Sequence, residues 1–222
     1  MDPMELIRKA VNEGKIPQEY EKKTELGVSK VKEAVSKVEK SSGAGYPVWF
    51  VSPYAVVMKG GNLYSEAIVY SRFMPLSDGT NLVLTVELTA PLVAFGSKDT
   101  IASAVAHEFL HYLNFLALLR DRNIRSSGIT DEVIEALGID EGELYTADSI
   151  YSKSKYLMRV LAEKFKDGLN DDVLNKKSIT KWINVGLPTV IMSPSQNQVR
   201  LPMVAIMNYV PEERVRRLLK WT

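Results

Sequence analysis

The stretch from Ile101 to Leu119 is apolar or small except for His107, Glu108, His111 and Asn114. No other feature constrains the fold as strongly, because a helix with apolar residues all round its axis has to be buried on most sides. Its length approaches that of a membrane span. The four polar groups and the lack of a second adequate span instead favour a central helix inside a globular domain. Asp99 or Ser97 is the expected cap, and the helix is expected to run to about Arg122.

The only two histidines of the chain lie in this helix, and the chain contains no cysteine. Disulfides, thiolate catalysis and cysteine-based zinc fingers are therefore excluded, and a metal would be held by His, Asp or Glu. With 28 Lys and Arg against 27 Asp and Glu, the net charge is +1. That balance gives no electrostatic reason to expect a nucleic-acid partner. A length of 222 residues suits one large domain, or a domain with appended helices. The N-terminal segment is charged and lacks an apolar core, so it does not read as a signal peptide, and a cytoplasmic location is expected.

Residues around the central helix follow a simple order. Met4 to Glu13 and Pro17 to Glu39 read as helices, the second Lys/Glu-rich with a thin stripe of Leu26, Val28, Val31, Val35 and Val38. Between Pro47 and Phe95 four β-rich runs follow: Val48–Val51, Ala55–Met58, Ser65–Phe73 and Asn81–Leu88, divided by Gly60-Gly61 and Asp78-Gly79 turns. Pro91–Ala94 is expected as a short strand or an extended lead-in. Beyond the central helix, a short helix at Asp131–Leu137 and a longer one from Asp140 to about Lys166 are expected. A helix at Asp171–Asn184, extended segments at Leu187–Met192 and Val199–Tyr209, and a closing basic helix complete the pattern. A small, mostly antiparallel or mixed sheet followed by a buried helix and further helices is an α+β arrangement. Residues 1–45 form the N-terminal helices, packed on or covering a domain of residues 46–222.

Histidines four apart share one helix face, so His107 and His111 can reach one zinc ion. Glu108 points about 100° away round the axis and can instead reach a water at that ion. This is the arrangement for metal-assisted hydrolysis, with the carboxylate taking and redelivering the proton. His107-Glu108-Phe109-Leu110-His111 thus resembles the active-site motif of the zincin metallopeptidases. That resemblance implies a zincin-like fold, one Zn²⁺ ion, zinc ligation by His107 and His111, and Glu108 as general base in peptide-bond hydrolysis. It also implies a strand above the helix that aligns a peptide or protein substrate, for which Asn81–Leu88 is the best-placed candidate.

The third ligand divides the zincins. A metzincin would place Gly and His where this chain has Asn114 and Ala117, so the resemblance is to the gluzincins or aspzincins. Glu132 lies in a Gly128–Glu132 stretch similar to that of thermolysin-like enzymes, and Asp148 in a Thr146–Tyr151 stretch similar to the aspzincin signature. The helix continues roughly 16 Å beyond His111 at the usual rise, so a returning ligand has to travel back about as far. That favours Glu143 and Asp148 over Glu132. Glu143 falls within the apolar stripe of the helix after Asp140, whereas Asp148 lies off its edge, so Glu143 is preferred with the other two left open. Tyr151, on the same inward face, is the candidate oxyanion donor, and Asn114 a candidate second partner of a ligand. The expectation is a zinc-dependent peptidase. The alternative is a catalytically silent or autoinhibited protein of the same fold that binds partners.

Overall fold

A computed structural model of the chain describes residues 2–59, 66–77, 82–121, 182, 185–192, 194–195 and 198–199. In order these hold α1 (Glu5–Asn12), α2 (Gln18–Ser42), β1 (Val48–Ser52), β2 (Ala55–Lys59), β3 (Glu66–Val69), β4 (Ser71–Ser77), β5 (Leu82–Thr89), α3 (Ala90–Phe95) and α4 (Lys98–Asp121). The short strands β6 (Thr189–Met192), β7 (Pro194–Ser195) and β8 (Gln198–Val199) follow. Helices and small sheets in these proportions make an α+β arrangement, as the sequence suggests.

One sheet runs β1-β5-β4 and a second β3-β2-β6, with β7 and β8 forming a separate pair. Both three-stranded sheets are mixed: β1 is parallel and β4 antiparallel to β5, while β3 is antiparallel and β6 parallel to β2. The expected single run Ser65–Phe73 is divided at Tyr70 between the two sheets, β3 in one and β4 in the other. Hydrophobic patterning specifies which face of a strand is buried and leaves its sheet unspecified.

The α4 helix is the centre of the described fold. Ile101, Val105, Ala106, Phe109, Leu110 and Phe115 are buried around it, with Glu108 buried among them. Its start is capped by Ser97, whose Oγ accepts from the Thr100 N–H at 3.0 Å. On one side it meets α2 and on the other β4. The α2 face in the core comprises Tyr20, Thr24, Gly27, Val28, Val31, Ala34 and Val38. This is the helical repeat of i, i+4, i+7 and i+11. Leu26, expected in that stripe, is 73 % exposed on the opposite side. Residues of α1, α2, β1, β5, α3 and α4 join one apolar cluster, so the N-terminal helices share the core of the sheet and α4.

Pro91–Ala94 is helical, not extended: it lies in α3, which follows β5 directly and is separated from α4 by Gly96 and Ser97. Pro91 sits in its first turn, where a missing N–H costs nothing. Gly27 permits the crossing of α2 over α3: a Cβ there would lie 1.8 Å from the Val93 carbonyl oxygen. Nearby, Lys30 Nζ donates to the Gly96 carbonyl at 3.1 Å, closing the end of α3. Trp182 is fully buried against Tyr20 and Phe95, and its indole N–H donates to the Pro188 carbonyl at 3.1 Å. Among the described residues no helix is long and apolar enough to cross a membrane.

Candidate metal centre

The position of β4 follows from its pairing and its side chains. Phe73 packs edge-on against Tyr112 and tilted against Phe115, which places Ser71, Phe73 and Pro75 on the face toward α4. The Thr89 N–H donates to the Tyr70 carbonyl at 2.9 Å. Antiparallel alternation then points the backbone of Arg72 and Met74 inward to β5 and that of Ser71, Phe73 and Pro75 to the outer edge. Proline, lacking an N–H, is tolerated at such an edge. Among the described residues β4 has no partner on that side, whereas β5 is flanked by β4 and, from Thr85 to Thr89, by β1. Among the described residues the strand beside the helix with an unpaired edge is therefore β4, while β5, from the Asn81–Leu88 run, is paired on both flanks from Thr85 to Leu88.

His107 and His111 lie one turn apart on α4 with their Nε2 atoms 3.2 Å apart. Two nitrogens bound to one tetrahedral zinc ion at about 2.05 Å lie about 3.3 Å from each other. The pair thus has the spacing of two ligands of one ion, which is also that of a hydrogen bond between the two rings. Burial holds both imidazoles neutral. The His107 pKa is pushed down to about 3, by burial first and the neighbouring His111 second, and that of His111 to about 4 by burial. Neutral imidazole is the form that ligates a metal. The chemistry and spacing of this donor pair fit a zinc ion.

Glu108 sits beside them. Its Oε1 lies 4.0 Å from His107 Nε2 and accepts the Ser71 hydroxyl at 2.6 Å. The Phe73 N–H also donates to this carboxylate, from the outer edge of β4. Burial pushes the Glu108 pKa up to about 7, against the lowering effect of these two donors. Such a carboxylate exchanges protons near neutral pH, which suits a general base.

On the opposite face of the sheet Arg72 and Glu87 stand directly across from one another and form an ion pair. The Glu87 carboxylate is 3 % exposed and the Arg72 side chain 22 %. Ser52, Thr85 and Thr89 are buried on the same face. The Arg72 charge lowers and the Glu87 charge raises the Glu108 pKa, both less than its own hydrogen bonds do.

The structure brings together His107, Glu108 and His111 as the helical spacing requires. Glu143, Asp148, Glu132 and Tyr151 lie outside the described residues, as does the side chain of Asn114. Among the described residues no third His, Asp or Glu completes a metal-binding group with the two histidines. The motif does not point to Ser71, Arg72 or Glu87. A signal for the last two exists: Arg72 is the lone cation of the Ser65–Phe73 run and Glu87 the lone charge of Leu82–Thr89. Ser71 has no comparable local mark. Comparison with family models, with curated proteins and with solved structures finds no match.

Proposed function

We propose that the chain is a zinc-dependent metallopeptidase of the zincin kind, acting on peptide or protein substrates in the cytoplasm. The observation that carries this reading is the convergence, on one buried helix, of two neutral imidazoles 3.2 Å apart with a carboxylate of raised pKa beside them. His107 and His111 would hold the ion. Glu143 remains the preferred third ligand, ahead of Asp148 and Glu132. When bound, zinc supplies a Lewis acid that polarises the scissile carbonyl and acidifies a water.

The chain's own groups do the rest. Glu108 takes one proton from the attacking water and passes it to the amine nitrogen that leaves, so the carboxylate is regenerated at the end of the cycle. Tyr151 would donate to the oxyanion that develops on the former carbonyl. In zincins a strand above the helix aligns the substrate, and β4 has both the position over α4 and, among the described residues, an unpaired edge for that task. The Ser71 backbone is what it presents there, beside the Phe73 N–H that the Glu108 carboxylate takes up.

Elemental analysis of the purified protein and a quenched-fluorescent peptide assay on the wild type and Glu108→Gln test the reading. The expected result is about one zinc per chain in both proteins, with hydrolysis in the wild type alone. A protein that is metal-free and indifferent to chelators, or a Glu108→Gln variant that still hydrolyses peptides, overturns it.

A further inference from the structure

We infer that Ser71 is a positioning residue for Glu108, and that the edge of β4 is the seat of the general base. The inference rests on the metallopeptidase reading and goes beyond it, because neither the helix motif nor its spacing says what orients the carboxylate.

A glutamate on a helix has three side-chain torsions, and the position of its oxygens is not set by the helix alone. Here two donors from a different element set it. The Ser71 hydroxyl reaches Glu108 Oε1 at 2.6 Å, the short distance of a hydrogen bond to a charged acceptor. The Phe73 N–H supplies a second donor from two residues along the same strand. Oε1 is also the oxygen 4.0 Å from His107 Nε2. The oxygen held by Ser71 is therefore the one on the histidine side of the carboxylate.

The strand provides both donors through one geometric fact. At Ser71 and Phe73 the side chain faces α4 while the backbone N–H faces the outer edge. Ser71 uses its side chain and Phe73 its backbone, so they approach the carboxylate from two directions. The next position of this kind, Pro75, has no N–H to give. Ser71 and Phe73 are consequently the two residues of β4 whose donors meet the base. A chain that adds to this edge at Phe73 meets the Glu108 carboxylate there.

The test uses the full chain loaded with Co²⁺ and acetohydroxamate as the probe, since a hydroxamate chelates a metal and hands a proton to a neighbouring base. Wild type, Ser71→Ala, Ser71→Thr and Glu108→Gln are compared by visible absorption, which reads Co²⁺ affinity and acetohydroxamate affinity separately and needs no turnover. The expected result is unchanged Co²⁺ affinity in all four. Acetohydroxamate should bind about tenfold more weakly in Ser71→Ala and Glu108→Gln, with wild-type affinity restored in Ser71→Thr. Equal acetohydroxamate affinity in wild type and Ser71→Ala overturns the role of Ser71 and leaves the metal reading standing. So does a Ser71→Ala variant whose Co²⁺ affinity falls in parallel, since that marks a purely structural contact. If the wild type takes up no Co²⁺, the metal reading itself fails and this inference falls with it.

Discussion

Ser71 on the edge strand β4 and Glu108 on α4, 37 residues apart in sequence, meet at 2.6 Å. This contact ties the sheet to the face of the helix that carries the two histidines. It places a hydroxyl donor against a carboxylate that burial would otherwise leave costly to ionise. The site is thus a joint product of helix and strand, and its parts can be tested separately.

His107→Ala and His111→Ala should each abolish stable metal binding, since each removes one of two imidazoles whose Nε2 atoms stand 3.2 Å apart. The loss should exceed the about 10- to 100-fold that removing an outer partner of a ligand brings. Competition against a chromogenic chelator measures it. Wild-type affinity in either variant would place the metal elsewhere.

The metal-free protein should grow more stable as pH rises from about 4 to about 6.5. His107 and His111 have pKa values lowered from 6.5 to about 3 and about 4. Their contribution is complete above 6.5 and lost as pH falls through those lower values. Glu108, raised from 4.5 to about 7, acts in the opposite sense, with its contribution complete below 4.5 and lost as pH rises through 7. Two histidines outweigh one glutamate, so the unfolded chain binds more protons across that window. Glu108→Gln removes the opposing group and should steepen the dependence. Thermal melts in chelator at several pH values check this, and a shallower slope in the variant contradicts it.

Gly27→Ala should destabilise the fold by about 3 kcal/mol, at the upper end of ordinary overpacking costs. The reason is backbone contact: the new Cβ would lie 1.8 Å from the Val93 carbonyl oxygen, and a main-chain atom cannot rotate away. Helices α2 and α3 would have to separate. In a chain of this size the melting temperature should drop by about 10 °C, measurable by calorimetry.

Arg72→Met should cost about 3 kcal/mol by leaving the Glu87 carboxylate buried without its partner. The double variant Arg72→Met, Glu87→Met should be more stable than Arg72→Met alone, because it removes the stranded charge. Denaturant unfolding of the wild type, Arg72→Met, Glu87→Met and the double variant tests the coupling. Additive effects of the two substitutions would show that the pair does not act as a unit.

Much of the fold was legible locally. The periodicity of α2, the run of apolar residues in α4 and the β-rich character of residues 47–89 correspond to described elements. Misreadings arose where tertiary context overrode local pattern. Pro91–Ala94 is apolar and short enough for a strand, yet between β5 and α4 it forms a helical turn. Leu26 looks like a core residue until the crossing of α2 at Gly27 and Val31 turns it to the outside.

The sequence by itself determined that α4 is buried, that His107 and His111 share a face and that Glu108 stands beside them. Those properties follow from 3.6 residues per turn and need no knowledge of neighbours. Only the tertiary structure decided which strand borders that helix. Alternation within a strand says which residues share a face, but pairing partners are set by contacts distant in sequence. That is why β4 lies at the edge of its sheet among the described residues, why Ser71 and Phe73 hold the carboxylate, and why Arg72 finds Glu87 across the sheet.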